Sequence, residues 1–77
     1  LSQVLNSIGD VYMKEENYDI ALDNFEASLK LATENNDKQV HAEVLFNLGK
    51  LYEAKNKYTK SVTFYKQSIS ISEEIKR

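Results

Sequence analysis

Laid on itself with a shift of 40 residues, the chain repeats. Val4 falls on Val44, Leu5 on Leu45, Gly9 on Gly49, Tyr12 on Tyr52, Tyr18 on Tyr58, Ser28 on Ser68 and Glu34 on Glu74. These are seven identities, where typical residue frequencies give about two. Six further pairs keep size and character: Ile8/Leu48, Val11/Leu51, Leu22/Val62, Phe25/Tyr65, Leu29/Ile69 and Leu31/Ile71. Nearly all the matching positions are apolar, small or aromatic, and the positions between them drift. A repeat with that bias preserves a packing surface, so the chain reads as two copies of one supersecondary unit.

Two absences fix the class of that unit. Proline is missing and the only glycines are Gly9 and Gly49, whereas a β-rich chain of this size needs several turns built from such residues. Long apolar-periodic segments without breakers indicate helices instead. In the first repeat, Val4, Leu5, Ile8, Val11 and Tyr12 follow helical spacing. The pattern stops at Lys14-Glu15-Glu16-Asn17 and resumes with Tyr18, Leu22, Phe25, Leu29 and Ala32. The second repeat does the same around a turn at Lys55-Asn56-Lys57, and Asn35-Asn36-Asp37 breaks the chain between repeats. Helices are expected near residues 2–15, 18–34, 38–55 and 58–76, with Asp19 and Thr59 as N-caps.

The glycines are expected where helices approach closely. A mid-helix glycine costs about 1 kcal/mol relative to alanine, and room for Phe25 and Tyr65 on the partner helix is the available compensation. Ala21, Ser28 and Ala32 recur as Ser61, Ser68 and Ser72, a stripe of small residues that would face the large ones. The serine hydroxyls are expected to bond carbonyls of their own preceding turn.

Leu5-x-x-Ile8-Gly9-x-x-Tyr12 followed by Tyr18-x-x-Ala21-x-x-x-Phe25 resembles the tetratricopeptide repeat (TPR), and Leu45-x-x-Leu48-Gly49-x-x-Tyr52 with Tyr58-x-x-Ser61-x-x-x-Tyr65 resembles a second copy. The resemblance implies an all-α fold of two helix-turn-helix units, about 2–37 and about 38–77, with four antiparallel helices forming a right-handed α-solenoid fragment within a single domain. Two departures accompany it. The period is 40 residues rather than the family's usual figure of about 34, and Thr33 and Glu73 stand where a proline normally closes the second helix. Longer helices need no proline stop. The long form is similar to repeats in bacterial peptide-sensing regulators, sensor-kinase and transcription-factor arrays, and eukaryotic scaffolds.

No catalytic constellation accompanies the repeats. The chain has no cysteine, so disulfides and thiolate chemistry are excluded. His41 is the single histidine, and with no second one the serines lack a nucleophile–base–orienter set. It reads as a solvated surface residue. The adjacent pairs Glu15-Glu16 and Glu73-Glu74 point in different directions on a helix and read as solvated charge. A phosphate loop needs clustered glycines, which are absent. The formal net charge of −2 lacks the basic excess of a nucleic-acid binder, and the five tyrosines and three phenylalanines fall mostly at core positions. No stretch approaches the ~18 apolar residues of a membrane span. The reading is of a cytoplasmic, non-catalytic chain without cofactor or metal, and with Leu1 in place of an initiator methionine it is expected to be a piece of a longer one.

What remains is recognition of a protein or peptide. In TPR arrays the first helix of each repeat lines a concave groove. By that resemblance the groove positions are Gln3, Asn6, Asp10, Met13 and Lys14, then Glu43, Phe46, Asn47, Lys50 and Glu53. Phe46 is the odd member, an aromatic among Glu43, Lys50 and Glu53 whose counterpart is Asn6. It is either a partner-binding anchor or a contact to a neighbouring repeat or chain. The chaperone-binding type of TPR grips a C-terminal carboxylate with a lysine and an asparagine on the first helix. Here those positions are Asn6 and Asp10, and an aspartate repels a carboxylate. Competing with the binding reading is a structural one, a solenoid spacer or oligomerisation segment, with a bacterial sensor module as its possible setting. Two repeats are fewer than a stable solenoid normally holds. The chain is therefore expected to meet another copy, as a dimer or by helix exchange, through its terminal helix faces, Leu1, Val4 and Leu5 at one end and, at or near the contact, a stripe of Val62, Ile69 and Ile71 at the other.

Overall fold

The computed structural model describes residues 1–76, and Arg77, the last residue of the expected second repeat, lies outside the described residues. Helix α1 spans Ser2–Lys14, α2 Tyr18–Glu34, α3 Lys38–Ala54 and α4 Tyr58–Lys76. Each agrees with the periodicity to within a residue.

The three connections are copies of one another. Glu16, Asn36 and Asn56 take positive φ values of 64°, 55° and 62°. In each turn the next amide reaches back five residues: Asn17 N–H donates to the Tyr12 carbonyl at 2.9 Å, Asp37 to Ala32 at 2.8 Å and Lys57 to Tyr52 at 2.8 Å. This is the Schellman closure, which ends a helix by satisfying its orphan carbonyls and requires a left-handed residue. A glycine or proline stop is therefore dispensable, although Glu16 is an unfavourable residue for that conformation. The recurrence corrects the expected caps. Each helix restarts directly after the left-handed residue, so Asn17 and Asp37 occupy the capping position and Asp19 and Thr59 lie one step inside the helix. Of these, Asp37 caps with its side chain, accepting from Val40 N–H at 3.3 Å.

Packing is sequential. Helix α1 lies on α2, α2 on α3 and α3 on α4, while α1 also touches α3. No contact joins α1 to α4 or α2 to α4 among the described residues. A closed four-helix bundle would bring α1 onto α4, so this is an open stack. Because α1 meets α3 but α2 does not meet α4, the stack curves with α1 and α3 on its inner side.

The core comprises Ala21, Phe25, Ala32, Val40, Val44, Leu48 and Leu51, all nearly or fully buried. At its crossings the glycines allow the approach inferred from sequence. A Cβ on Gly9 would stand 2.7 Å from the Phe25 ring, and one on Gly49 would stand 2.6 Å from the Tyr65 ring. The serines behave differently from expectation. Ser28 Oγ donates across the helix pair to the Ser2 carbonyl at 2.6 Å, and Ser68 Oγ does the same to Ala42 at 2.8 Å. These two bonds are related by the 40-residue shift, which gives the Ser28/Ser68 identity a physical reason. Ser61 Oγ bonds the Gly49 carbonyl at 2.8 Å. Small residues bring the helices so close that the partner's backbone, rather than the preceding turn, is the nearer acceptor.

Helix α1 departs from its apparent amphipathicity. Its buried residues are Ser2, Asn6 and Gly9, whereas Val4, Ile8 and Val11 are 56%, 38% and 54% exposed. Their counterparts Val44, Leu48 and Leu51 are at most 2% exposed. The first helix of a repeat has two flanks to cover, one against its own second helix and one against the helix before it. Helix α3 has α2 on that second flank and α1 has nothing there among the described residues.

Candidate functional site

A groove of about 640 Å³ opens on the inner side of the stack, between α3 and the C-terminal half of α4. Its α3 wall is formed by Gln39, Ala42, Glu43, Phe46 and Asn47, successive positions on one helical face. Ser68, Ser72, Ile75 and Lys76 supply the α4 wall, and Asn6 of α1 closes one end. Because the Ser68 hydroxyl is already spent on the Ala42 carbonyl, the floor there is effectively apolar. Phe46 and Ile75, 49% and 47% exposed, are the large apolar surfaces, and Glu43 and Lys76 put charge of both signs on the lining.

Phe46 is held rather than loose. Its ring tilts against Tyr65 with centroids 5.3 Å apart, and Lys50 Nζ lies 5.4 Å from its centroid. Tyr65 in turn donates its hydroxyl to Glu53 Oε1 at 2.8 Å. Burial and the adjacent Glu53 carboxylate push the phenol above its ordinary value of 10.0. Tyr65 is neutral and donating at physiological pH and stands behind Phe46.

Of the ten positions expected to face a partner, the structure gathers Asn6, Glu43, Phe46 and Asn47 into this groove. The asparagines meet each other: Asn47 Nδ2 donates to Asn6 Oδ1 at 2.9 Å, joining α3 to α1. Asn6 is buried, so its amide oxygen serves to register one repeat on the next. Lys50 borders the groove through Phe46. Asp10 and Met13 do not line it: Asp10 is paired with Lys14 at 3.1 Å, and Met13 packs against the core.

The self-association stripe is split. Val62 and Ile69 are 49% and 59% exposed on one flank of α4. Ile71 is half-buried elsewhere, in a small hollow with His41, Leu45, Gln67 and Ser70. Nine residues separate Val62 from Ile71, about half a turn beyond two full turns, which puts them on opposite sides of the helix. The same hollow half-buries His41, which the sequence presents as solvated. Ser72 and Ile75 are groove residues that motif reasoning missed. Ser72 stood in the stripe of small residues and Ile75 is one of the apolar residues of the last helix, but neither signal assigns a side of that helix.

No three His, Asp or Glu side chains among the described residues cluster closely enough to hold a metal ion, and no helix there is long and apolar enough to cross a membrane. The chain matches a family model described as a tetratricopeptide repeat over residues 1–74. It matches no curated protein and no solved structure.

Proposed function

Because the chain belongs to the tetratricopeptide-repeat family, whose repeats typically serve as scaffolds for protein–protein interaction, we propose that it is a non-catalytic, cytoplasmic protein-binding module and that the groove along α3 is where it docks its partner. The observation that carries this is Phe46. A half-exposed aromatic, braced by Tyr65 and set in an apolar-floored groove beside Ile75, is the form an interface anchor takes. A partner segment with an apolar side chain for the Phe46–Ile75 cleft and polar flanks for Glu43 and Lys76 matches this lining. A terminal carboxylate is a poor ligand, since Asn6 and Asn47 already bond each other and Asp10 is acidic.

Selection from a displayed random-peptide library tests the reading. Captured peptides should share an apolar anchor, bind equally as free acids and as C-terminal amides, and lose about tenfold or more in affinity on Phe46→Ala while the thermal midpoint barely moves. Selection that enriches nothing, or peptides indifferent to Phe46, overturns it. The oligomerisation reading is favoured by a separate observation, the exposed apolar flanks of α1 and α4.

A further inference from the structure

The two repeats keep the same packing and invert their charge at one place. From Asp10 to Glu26 the first repeat carries one lysine against six acids, a net of −5. The same stretch of the second repeat, Lys50 to Lys66, carries five lysines against one glutamate, a net of +4. Lys50, Lys55 and Lys66 stand where the first repeat has Asp10, Glu15 and Glu26, and Lys57 and Lys60 replace Asn17 and Ile20. Packing does not ask for this. Tyr12/Tyr52 and Tyr18/Tyr58 are identical within the stretch, and both turns close with the same backbone bond, so the fold is indifferent to the sign it displays.

These lysines have no counter-charge of their own. The ion pairs among the described residues are Lys14–Asp10 and Lys38–Glu74, which involve none of the five. Glu53, the one acid of the stretch, accepts the Tyr65 hydroxyl. Lys57 immediately precedes α4 and Lys60 lies in its first turn, which holds no acid, whereas Asp19 occupies the first turn of α2. Lys60 is also positioned. Its Nζ lies 5.0 Å from the Tyr52 ring centroid, and Tyr52 stacks on Phe64 with centroids 5.5 Å apart and planes within 4°. A lysine laid on a ring has already given up part of the freedom that binding would cost it. Like charges gathered this way repel one another, and a partner that neutralises them relieves the repulsion.

We propose that the end of the α3–α4 hairpin is a second docking surface, separate from the groove. Its occupant is a short acidic segment of a partner protein, lying across Lys55, Lys57 and Lys60 with an apolar side chain against the Tyr52–Phe64 stack. Neighbouring charge selects for a short segment. Consecutive helices pack on each other through tight turns and so run antiparallel, which puts the α1–α2 and α3–α4 turns at the same end of the stack. Glu15, Glu16 and Asp19 therefore flank the basic turn, and an extended polyanion or a flat anionic membrane would meet them as well. The residue type agrees. The basic residues of this surface are all lysines, without the planar arginine fork that suits phosphate. A helix packed on α3 or α4 covers a flank, so the turn between them remains open within a stack.

Fluorescence anisotropy tests the proposal with a labelled, C-terminally amidated short peptide of glutamates around one phenylalanine, titrated with the 77-residue chain at low ionic strength. The peptide should bind, and its affinity should fall steeply as salt rises, because the charges are exposed. Lys57→Glu combined with Lys60→Glu should weaken binding about tenfold or more. Lys30→Glu combined with Lys38→Glu changes the net charge equally, at exposed positions toward the other end of the helices, and should stay within about twofold of wild type. Phe46→Ala should also stay within about twofold, which separates this surface from the groove. Circular dichroism checks helicity, and acids at the start of α4 suit its dipole. If the first double variant loses helicity, Lys60→Glu alone takes its place.

Absence of binding, equal losses in the two double variants, or a loss on Phe46→Ala as large as that on Lys57→Glu with Lys60→Glu would each overturn the proposal. Tighter binding of an oligothymidylate or of phosphatidylserine vesicles would overturn it in favour of a phosphate partner. Salt-sensitive self-association abolished by Lys57→Glu with Lys60→Glu would overturn it too, by making the acidic turn of a second copy the occupant.

Discussion

Gly9 and Gly49 occupy the same place in the two repeats, yet replacing them with alanine should give different results. Alanine is the better helix former at both sites, by about 1 kcal/mol. Against that gain stands the new methyl group. At Gly9 it would lie 2.7 Å from the Phe25 ring and 3.2 Å from the Ala21 carbonyl oxygen, and Phe25 is fully buried with nowhere to move. Overpacking of this kind costs about 1–3 kcal/mol. Gly9→Ala should therefore be destabilising by about 1–2 kcal/mol at the upper end of that range, a fall of roughly 4–16 °C in melting temperature for a domain of this size. At Gly49 the three nearest atoms to the methyl group would all belong to the Tyr65 ring, the closest at 2.6 Å. That ring is half-buried and can swing toward solvent, giving up its exposed bond to Glu53. Gly49→Ala should stay within about 0.5 kcal/mol of wild type, the helical gain offsetting the displacement. Thermal and urea melts at one low protein concentration measure both without self-association entering the midpoint. In a Phe25→Leu background the penalty of Gly9→Ala should shrink by about 1 kcal/mol, because the two sites share the contact. A Gly9→Ala protein as stable as wild type, or strict additivity with Phe25→Leu, would refute the close-approach argument.

Other expectations follow from single contacts. Asn6→Ala and Asn47→Ala should each destabilise by about 1 kcal/mol, and their double-mutant cycle should show coupling of about 0.5–1.5 kcal/mol, since each leaves the other's amide unpaired. Independent effects would mean that the hydrogen bond does not register the repeats. Glu16→Gly should stabilise by about 0.5–1 kcal/mol in urea melts, relieving a non-glycine residue at φ 64°, and a loss of stability there would contradict the Schellman assignment. The Tyr65 phenol is raised in the folded state, so its contribution is fully present below pH 10 and is lost as pH rises from there through the folded value. Tyr65→Phe should flatten that alkaline decline, and an unchanged pH profile would assign the decline to other groups.

The helices were legible from the sequence because their evidence is local: apolar periodicity, two glycines without a proline, and turns at matching positions. The pairing of Gly9 with Phe25 was legible too, since a repeat that keeps small opposite large exposes both halves of a contact. The site was only partly so. Phe46 stood out against its charged neighbours, but Ser72 and Ile75, which face it, lie 26 and 29 residues away along the chain. Nothing in either local pattern links them.

By itself, then, the sequence determined the repeat, the class of its elements and the register of the glycine–aromatic crossings. Tertiary structure decided which flank each helix would bury. Val4, Ile8 and Val11 repeat as Val44, Leu48 and Leu51, and the first set is exposed while the second is buried. Periodicity gives a side chain's angle about its own helix axis, but burial depends on whether a neighbour occupies that direction. The same reason explains the serines and the asparagines. Hydroxyl and amide groups bond the nearest acceptor in three dimensions, and for Ser28, Ser68 and Asn47 that acceptor belongs to another helix.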